Sequence, residues 1–175
     1  MKAVFALRSS RLELVFLAMA LVLPCTLLAA TLAPKSLEQL IDGADLIVRG
    51  HVQAVRPGPS GKDGPSTTVV IAVKEQWKGA KLSTFKMIQP QGTEGGIAQA
   101  VPGLPTFRVG EDVILFVARE GHGRYHVLGG KQGKFSVRSD VATGKQVVED
   151  LTGARLDLDQ FISHLAPPSR PVRQR

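Results

Sequence analysis

The chain has 175 residues, a formal net charge of +7 at neutral pH and a single cysteine, a length suited to one domain with its own core. Lys2, Arg8 and Arg11 against Glu13 account for two of the seven charges, and Arg170, Arg173 and Arg175 for three more. The two left for the body are scattered among acids, which excludes the clustered basic face of a nucleic-acid binder.

Residues 1–13 are basic, the stretch from Leu14 to Leu23 is apolar, and small residues stand at Ala29, Ala30 and Ala33. That order predicts a signal peptide over residues 1–30, cleaved after Ala30 or Ala33, and so an exported protein, periplasmic or secreted. Cys25 follows Pro24, where a lipoprotein signal places a small residue. With the leader removed the mature chain holds no cysteine, hence no disulfide and no thiolate metal site. The stretch 14–30 approaches spanning length, so an uncleaved membrane anchor is the competing reading, and membrane contact is expected only in that case.

Ser36 with Gln39 has the capping-box form, Leu37, Leu40 and Ile41 share a face, and Gly43 can close the end; the spacing predicts a two-turn helix leaning on the core. Residues 45–56 alternate, with Leu46, Val48, Val52 and Ala54 inward and Arg49, His51 and Gln53 outward. Gly50, inward at mid-strand, marks a bulge or bend. The 57–65 stretch has the composition of a hairpin loop. A second strand is predicted over 67–77, with Val69, Ile71, Val73 and Trp77 on one face and Glu75 breaking that face, and a third over 82–89 with Phe85 and Met87 inward.

The 90–106 segment is longer than an ordinary connection and rich in glycine and proline; its Ile97 to Val101 insert is expected to dock apolar groups. It leads into Val113-Ile114-Leu115-Phe116-Val117-Ala118, an unbroken apolar run too short for a membrane span and read as a strand covered on both faces. Burying each such side chain stabilises by roughly 1.5–3 kcal/mol, so the neighbouring strands should be built to cover it. Residues 125–128 and 134–138 follow as strands, the latter with Phe135 and Val137 inward, and 146–149 as a weak last strand. Asp157 can cap a closing helix in which Leu158, Phe161, Ile162 and Leu165 share a face. The domain is placed at 34–166, with 167–175 as a basic tail.

Read together, ADLIVRGHVQAV, TTVVIAVKEQWKGA, FKMIQPQG, FRVGEDVILFVARE and QGKFSV resemble bacterial exported proteins with a netrin-like, or tissue-inhibitor-of-metalloproteinase-like, domain. The similarity spans about residues 44–138. It implies a mainly β fold: a closed barrel of five strands or slightly more, with oligonucleotide/oligosaccharide-binding (OB) topology and short N-terminal and C-terminal helices. The animal inhibitors chelate a protease's zinc with a disulfide-locked N-terminal cysteine. The mature chain here has no cysteine, so no inhibitory residue carries over.

Motifs for chemistry are sparse. His122 and His126 have i, i+4 spacing, but Gly121, Gly123 and the strand-like residues after them argue against a helix, and a third ligand is not evident. Gly92-Thr93-Glu94-Gly95-Gly96 is no Walker loop, since no Gly-Lys-Ser/Thr opens a helix after it. No catalytic set emerges, and no cofactor is expected. Trp77, Phe85, Phe116 and Phe135 read as core and Tyr125 stands alone, which is no platform for single-stranded nucleic acid.

The leading expectation is an exported non-enzymatic binding module that contacts a protein of the cell envelope or extracellular space, with a protease as one candidate. The contact surface is the 89–106 loop at the barrel mouth, through Gln91, Gly92, Glu94, Gly95 and Gly96. The alternatives are a structural envelope protein anchored by its leader and a metal-dependent protein using His122, His126 and Glu94.

Overall fold

The computed structural model describes residues 33–59 and 64–165. The predicted leader with Cys25, the tip of the 57–65 loop and the predicted tail 167–175 lie outside the described residues.

Helix α1 (Leu37–Gly43) begins as its capping box dictates: Gln39 N donates to Ser36 Oγ at 3.2 Å and Ser36 N to Gln39 Oε1 at 3.0 Å. Two donors that a helix start leaves open are thereby satisfied. Gly43 does not form the closing turn; the C-cap is the extended residue Ala44. Lys78 Nζ donates to Ile41 O at 2.8 Å and Asp42 O at 3.1 Å, a cation on the negative end of the helix.

The strands that follow are β1 (Leu46–Pro57), β2 (Thr67–Lys78), β3 (Thr84–Gln89), β4 (Gly92–Glu94), β5 (Ile97–Gln99), β6 (Asp112–Glu120), β7 (Arg124–Val127), β8 (Lys134–Ser139), β9 (Gln146–Glu149) and β10 (Arg155–Asp157). Short 3-10 turns at Gly121–Gly123 and Gly130–Gly133 flank β7, and α2 (Leu158–Leu165) closes the domain. Asp157 caps α2, its Oδ1 accepting from Asp159 N at 2.9 Å. The main antiparallel sheet runs β10-β9-β8-β6-β1-β2-β3, and β4 and β5 form a separate ribbon. The sheet forks on β6, whose 117–120 half pairs with β7 and whose 113–115 part pairs with β8.

This fork explains the apolar run. Val113, Leu115 and Val117 point into a first core with Leu46, Val48, Val52, Val69, Ile71, Phe85, Met87, Phe107 and Val127. Ile114 and Phe116 point the other way, into a second core with Leu40, Ile47, Val137 and Val148 and with Leu158, Phe161 and Leu165 of α2. The central strand is covered on both faces, as its unbroken hydrophobicity requires.

The expected closed barrel of five strands or slightly more is not found: the described residues form ten strands, and among them no ladder joins β3 to β7. These two edges meet through side chains, with the Phe85 and Tyr125 rings edge-on at 5.9 Å, so Tyr125 does not stand alone. The strands not expected are β4 and β5 in the 90–106 segment and β10, while the expected β8 and β9 lie with β10 on the second branch. Both helices pack on the second core.

Gly50 sits at a register shift between β1 and β2, as expected. A Cβ there would lie 2.5 Å from Ile71 Cγ2 and 2.6 Å from Ala72 O, so only glycine lets β2 approach so closely. The β1–β2 ladder also passes over Lys74 and Trp77 on β2 and Gln53 on β1, each unmatched by a partner. Every extra residue reverses the phase of alternation. Trp77, predicted on the Val69–Ile71–Val73 face, therefore packs on the second core, and Val55 rather than Ala54 lies against the first.

Candidate functional site

The same slip brings together a charged cluster. Arg49, expected outward, is 8% exposed and sits opposite Glu75 on β2 and Ile114 on β6. Its Nη1 meets Glu75 Oε1 at 2.9 Å, and its Nη2 meets Asp112 Oδ2 at 3.0 Å and Gln146 Oε1 at 2.9 Å. One guanidinium thus ties β1, β2, β6 and β9. Burial works against its charge, but the bonds and charges of Asp112 and Glu75 outweigh that and hold its pKa above the ordinary arginine value. Lys74 Nζ adds a contact to Asp112 Oδ2 at 3.2 Å. Each carboxylate already faces a cation through one oxygen, Glu75 Oε1 and Asp112 Oδ2, so the cluster is read as a structural tie.

The 89–106 segment is built differently. Gln89, buried at the end of β3, donates from Nε2 to Pro105 O at 3.2 Å, and Gln91 Nε2 donates to the same carbonyl at 3.0 Å and to Gln89 Oε1 at 3.2 Å. Thr67 Oγ1 donates to Gln91 O at 2.6 Å. These bonds pin the two ends of the loop together on β2 and β3. The return limb is pinned to β8, where Lys134 Nζ donates to Thr106 O at 2.6 Å and to Glu111 Oε1 at 2.7 Å while lying 4.8 Å over the Phe107 ring. Ser136 Oγ and Arg108 N also donate to Glu111.

Between these anchors β4 and β5 pair as Gly92↔Gln99, Thr93↔Ala98 and Glu94↔Ile97. Gly95 and Gly96 form the turn with φ of 56° and 81°, the two positive values a type I′ hairpin demands. A Cβ at either would meet nothing within 4 Å. Ile97 is 67% exposed, against the expectation that the 97–101 insert docks on the core. The hairpin registers Ile97 opposite Glu94 at the tip, beyond the anchored base.

Beneath the ribbon lies a cavity of about 390 Å³ whose walls include Val55, Val69, Gln91, Ala98, Gln99 and Phe107. Of the predicted site residues, Gln91 and Gly92 line this cavity, while Glu94, Gly95 and Gly96 form the hairpin tip above it. Sequence reasoning missed Val55, Gln99 and Phe107. The Gly-Gly pair between short extended flanks was the available signal for the hairpin.

His126 is exposed on β7, opposite Ala118. The side chain of His122 lies outside the described residues. No group of three or more His, Cys, Asp or Glu able to hold a metal occurs among the described residues. His164 is exposed on α2, its Nδ1 2.8 Å from Gln160 O. Neither a protein-family model nor a curated protein matches the chain.

Proposed function

We propose that the chain is an exported, non-enzymatic binding module that contacts another protein of the cell envelope or extracellular space through the 89–106 segment. The observation that carries this reading is a ribbon held at its base by the Gln89, Gln91 and Lys134 bonds that nevertheless leaves a large apolar side chain, Ile97, in solvent at its tip. Binding residues are commonly presented in this way, on loops positioned by a rigid scaffold. Kinship with the netrin-like exported proteins belongs to the same proposal. It is supported by the strand path β3-β2-β1-β6-β7, which leaves β3 and β7 facing each other as the edges of a partly open barrel.

Photo-crosslinking in the producing cell tests the reading. A benzoyl-phenylalanine in place of Ile97 should give a discrete protein adduct in the envelope or medium, and the same group in place of Ser163, exposed on α2, should not. Equal adducts from both positions, or none from position 97, would overturn it. Mass measurement of the exported chain reports the leader directly: retention of residues 1–30 would favour the anchored envelope protein instead.

A further inference from the structure

We propose that the outer edge of β5 is a strand-acceptor: an extended segment of the partner pairs with it as a third strand and places aliphatic side chains over the cavity beneath. This rests on the reading of the 89–106 segment as the contact surface and names the kind of partner that surface fits.

Residues flanking a two-residue turn exchange both of their main-chain bonds, so Glu94 and Ile97 are bonded to each other and, by alternation, so are Gly92 and Gln99. Thr93 and Ala98 are the intervening pair, whose N–H and C=O groups point away from each other, out of the two edges. On the β4 side the edge runs along the body: a Cβ on Gly92 would come 2.9 Å from Ser66 O and 3.1 Å from Thr67 Oγ1. On the β5 side no main-chain bond joins Ala98 to another segment among the described residues.

The other edges of the fold carry the usual protections against such pairing. Lys86 lies on β3, which β7 also faces, Arg124 and His126 stand on β7, and β10 has Arg155 and Asp157. β5 reads Ile97-Ala98-Gln99, with no charge and no proline. An exposed edge without a guard is a template for strand addition.

The chemistry of the incoming strand follows from its two faces. Thr93 and Ala98 both line the cavity, so every second side chain of an added strand falls on the cavity side. That cavity is walled by Val55, Val69 and Phe107 together with threonine hydroxyls and glutamine amides, and none of its lining residues is charged. Each glutamine amide already donates to a proline carbonyl of the loop, Gln89 and Gln91 to Pro105 and Gln99 to Pro90. The side chains that enter are therefore aliphatic and uncharged, and affinity comes from the main chain.

Random peptides displayed on phage and selected on the immobilised full chain are the probe. Selected sequences should show aliphatic residues at alternate positions. Their binding should fall by about tenfold or more on Ala98→Pro, which removes the outward N–H without taking a ladder bond from the hairpin, and stay unchanged on Ala98→Ser. Against the parent protein, N-methylation of the peptide amide that pairs with Ala98 should cause the same loss, and methylation of the next amide should not. This arm holds whether or not the proline variant folds. Peptides indifferent to Ala98→Pro and to N-methylation, yet lost on Gly95→Val, would overturn the strand-acceptor while leaving the contact surface standing. Absence of any selected peptide would count against both. A concentration-dependent dimer abolished by Ala98→Pro would assign the edge to a second copy of the chain and overturn the partner proposed here.

Discussion

Replacing Arg49 by Met keeps the aliphatic stem and deletes the guanidinium that ties four strands. The lost contacts are those to Asp112 at 3.0 Å, Glu75 at 2.9 Å and Gln146 at 2.9 Å. Breaking a fully buried ion pair from one side costs about 3–5 kcal/mol, because a charge is left stranded. Two features lower that figure. The Glu75 side chain is 43% exposed and regains water, and Asp112, 19% exposed, keeps Lys74 at 3.2 Å. Arg49 Nε and Asp112 Oδ1 are in addition buried without a partner among the described residues, so the cluster starts from incomplete satisfaction. About 2–3 kcal/mol remains, equivalent to a fall in Tm of roughly 6–12 °C for a domain of this size. Urea unfolding followed by the fluorescence of Trp77, the single tryptophan, which packs on the second core, measures the loss. Removing Glu75 and Asp112 charges together with Arg49, as Arg49→Met with Glu75→Gln and Asp112→Asn, should recover a large part of it, since no ion is then stranded. A single Arg49→Met variant within about 0.5 kcal/mol of the parent would refute the claim that this residue holds the strands in register.

Gly50→Ala forces a Cβ to within 2.6 Å of the Ala72 carbonyl oxygen, a main-chain atom that cannot rotate away. It should cost about 1–3 kcal/mol by the same urea assay, and a neutral result would mean the β1–β2 approach is looser than described. The turn carboxylates predict an acid response. The N–H and hydroxyl of Thr143, with Ala142 N–H, hold the Asp140 carboxyl below the usual range. Burial pushes Asp150 up, but the Thr152 hydroxyl and N–H groups outweigh it and leave that carboxyl lowered as well. A lowered folded pKa stabilises above the unfolded value, near pH 4, and the contribution is lost as pH falls through the folded value. The amide resonances of Thr143 and Thr152 should therefore hold their native positions down to about pH 4 and move below it. Loss of either turn above pH 5 would contradict these bonds, and Asp140→Asn should abolish the response of Thr143 alone.

Much of the fold is written locally and could be read so. Ser36 and Gln39 define a helix start within four residues, and 113–118 announces a strand buried on both faces because no polar residue interrupts it. Gly50 marks its own bulge. What escaped reading depends on phase: the extra residues Lys74 and Trp77 leave no compositional trace, yet they move Trp77 to the second core and carry Glu75 to Arg49. The barrel was over-read because sequence alternation shows which residues face inward but not whether the first and last strands share a ladder. In the 90–106 segment the loop was recognised and its hairpin was not, since three-residue strands are too short for periodicity to register. The anchoring glutamines act through side-chain bonds to proline carbonyls, which no spacing rule anticipates.

Native-state hydrogen exchange along the whole chain is the most direct test, because it reads the central strand and the presented ribbon at once. The amides of Val113 to Val117 should exchange slowest, through global unfolding alone, and that of Ala98, which bonds to nothing across the ribbon, should exchange orders of magnitude faster while the main sheet stays protected. Fast exchange across 113–117, or core-level protection of Ala98 in the isolated protein, would contradict that ordering.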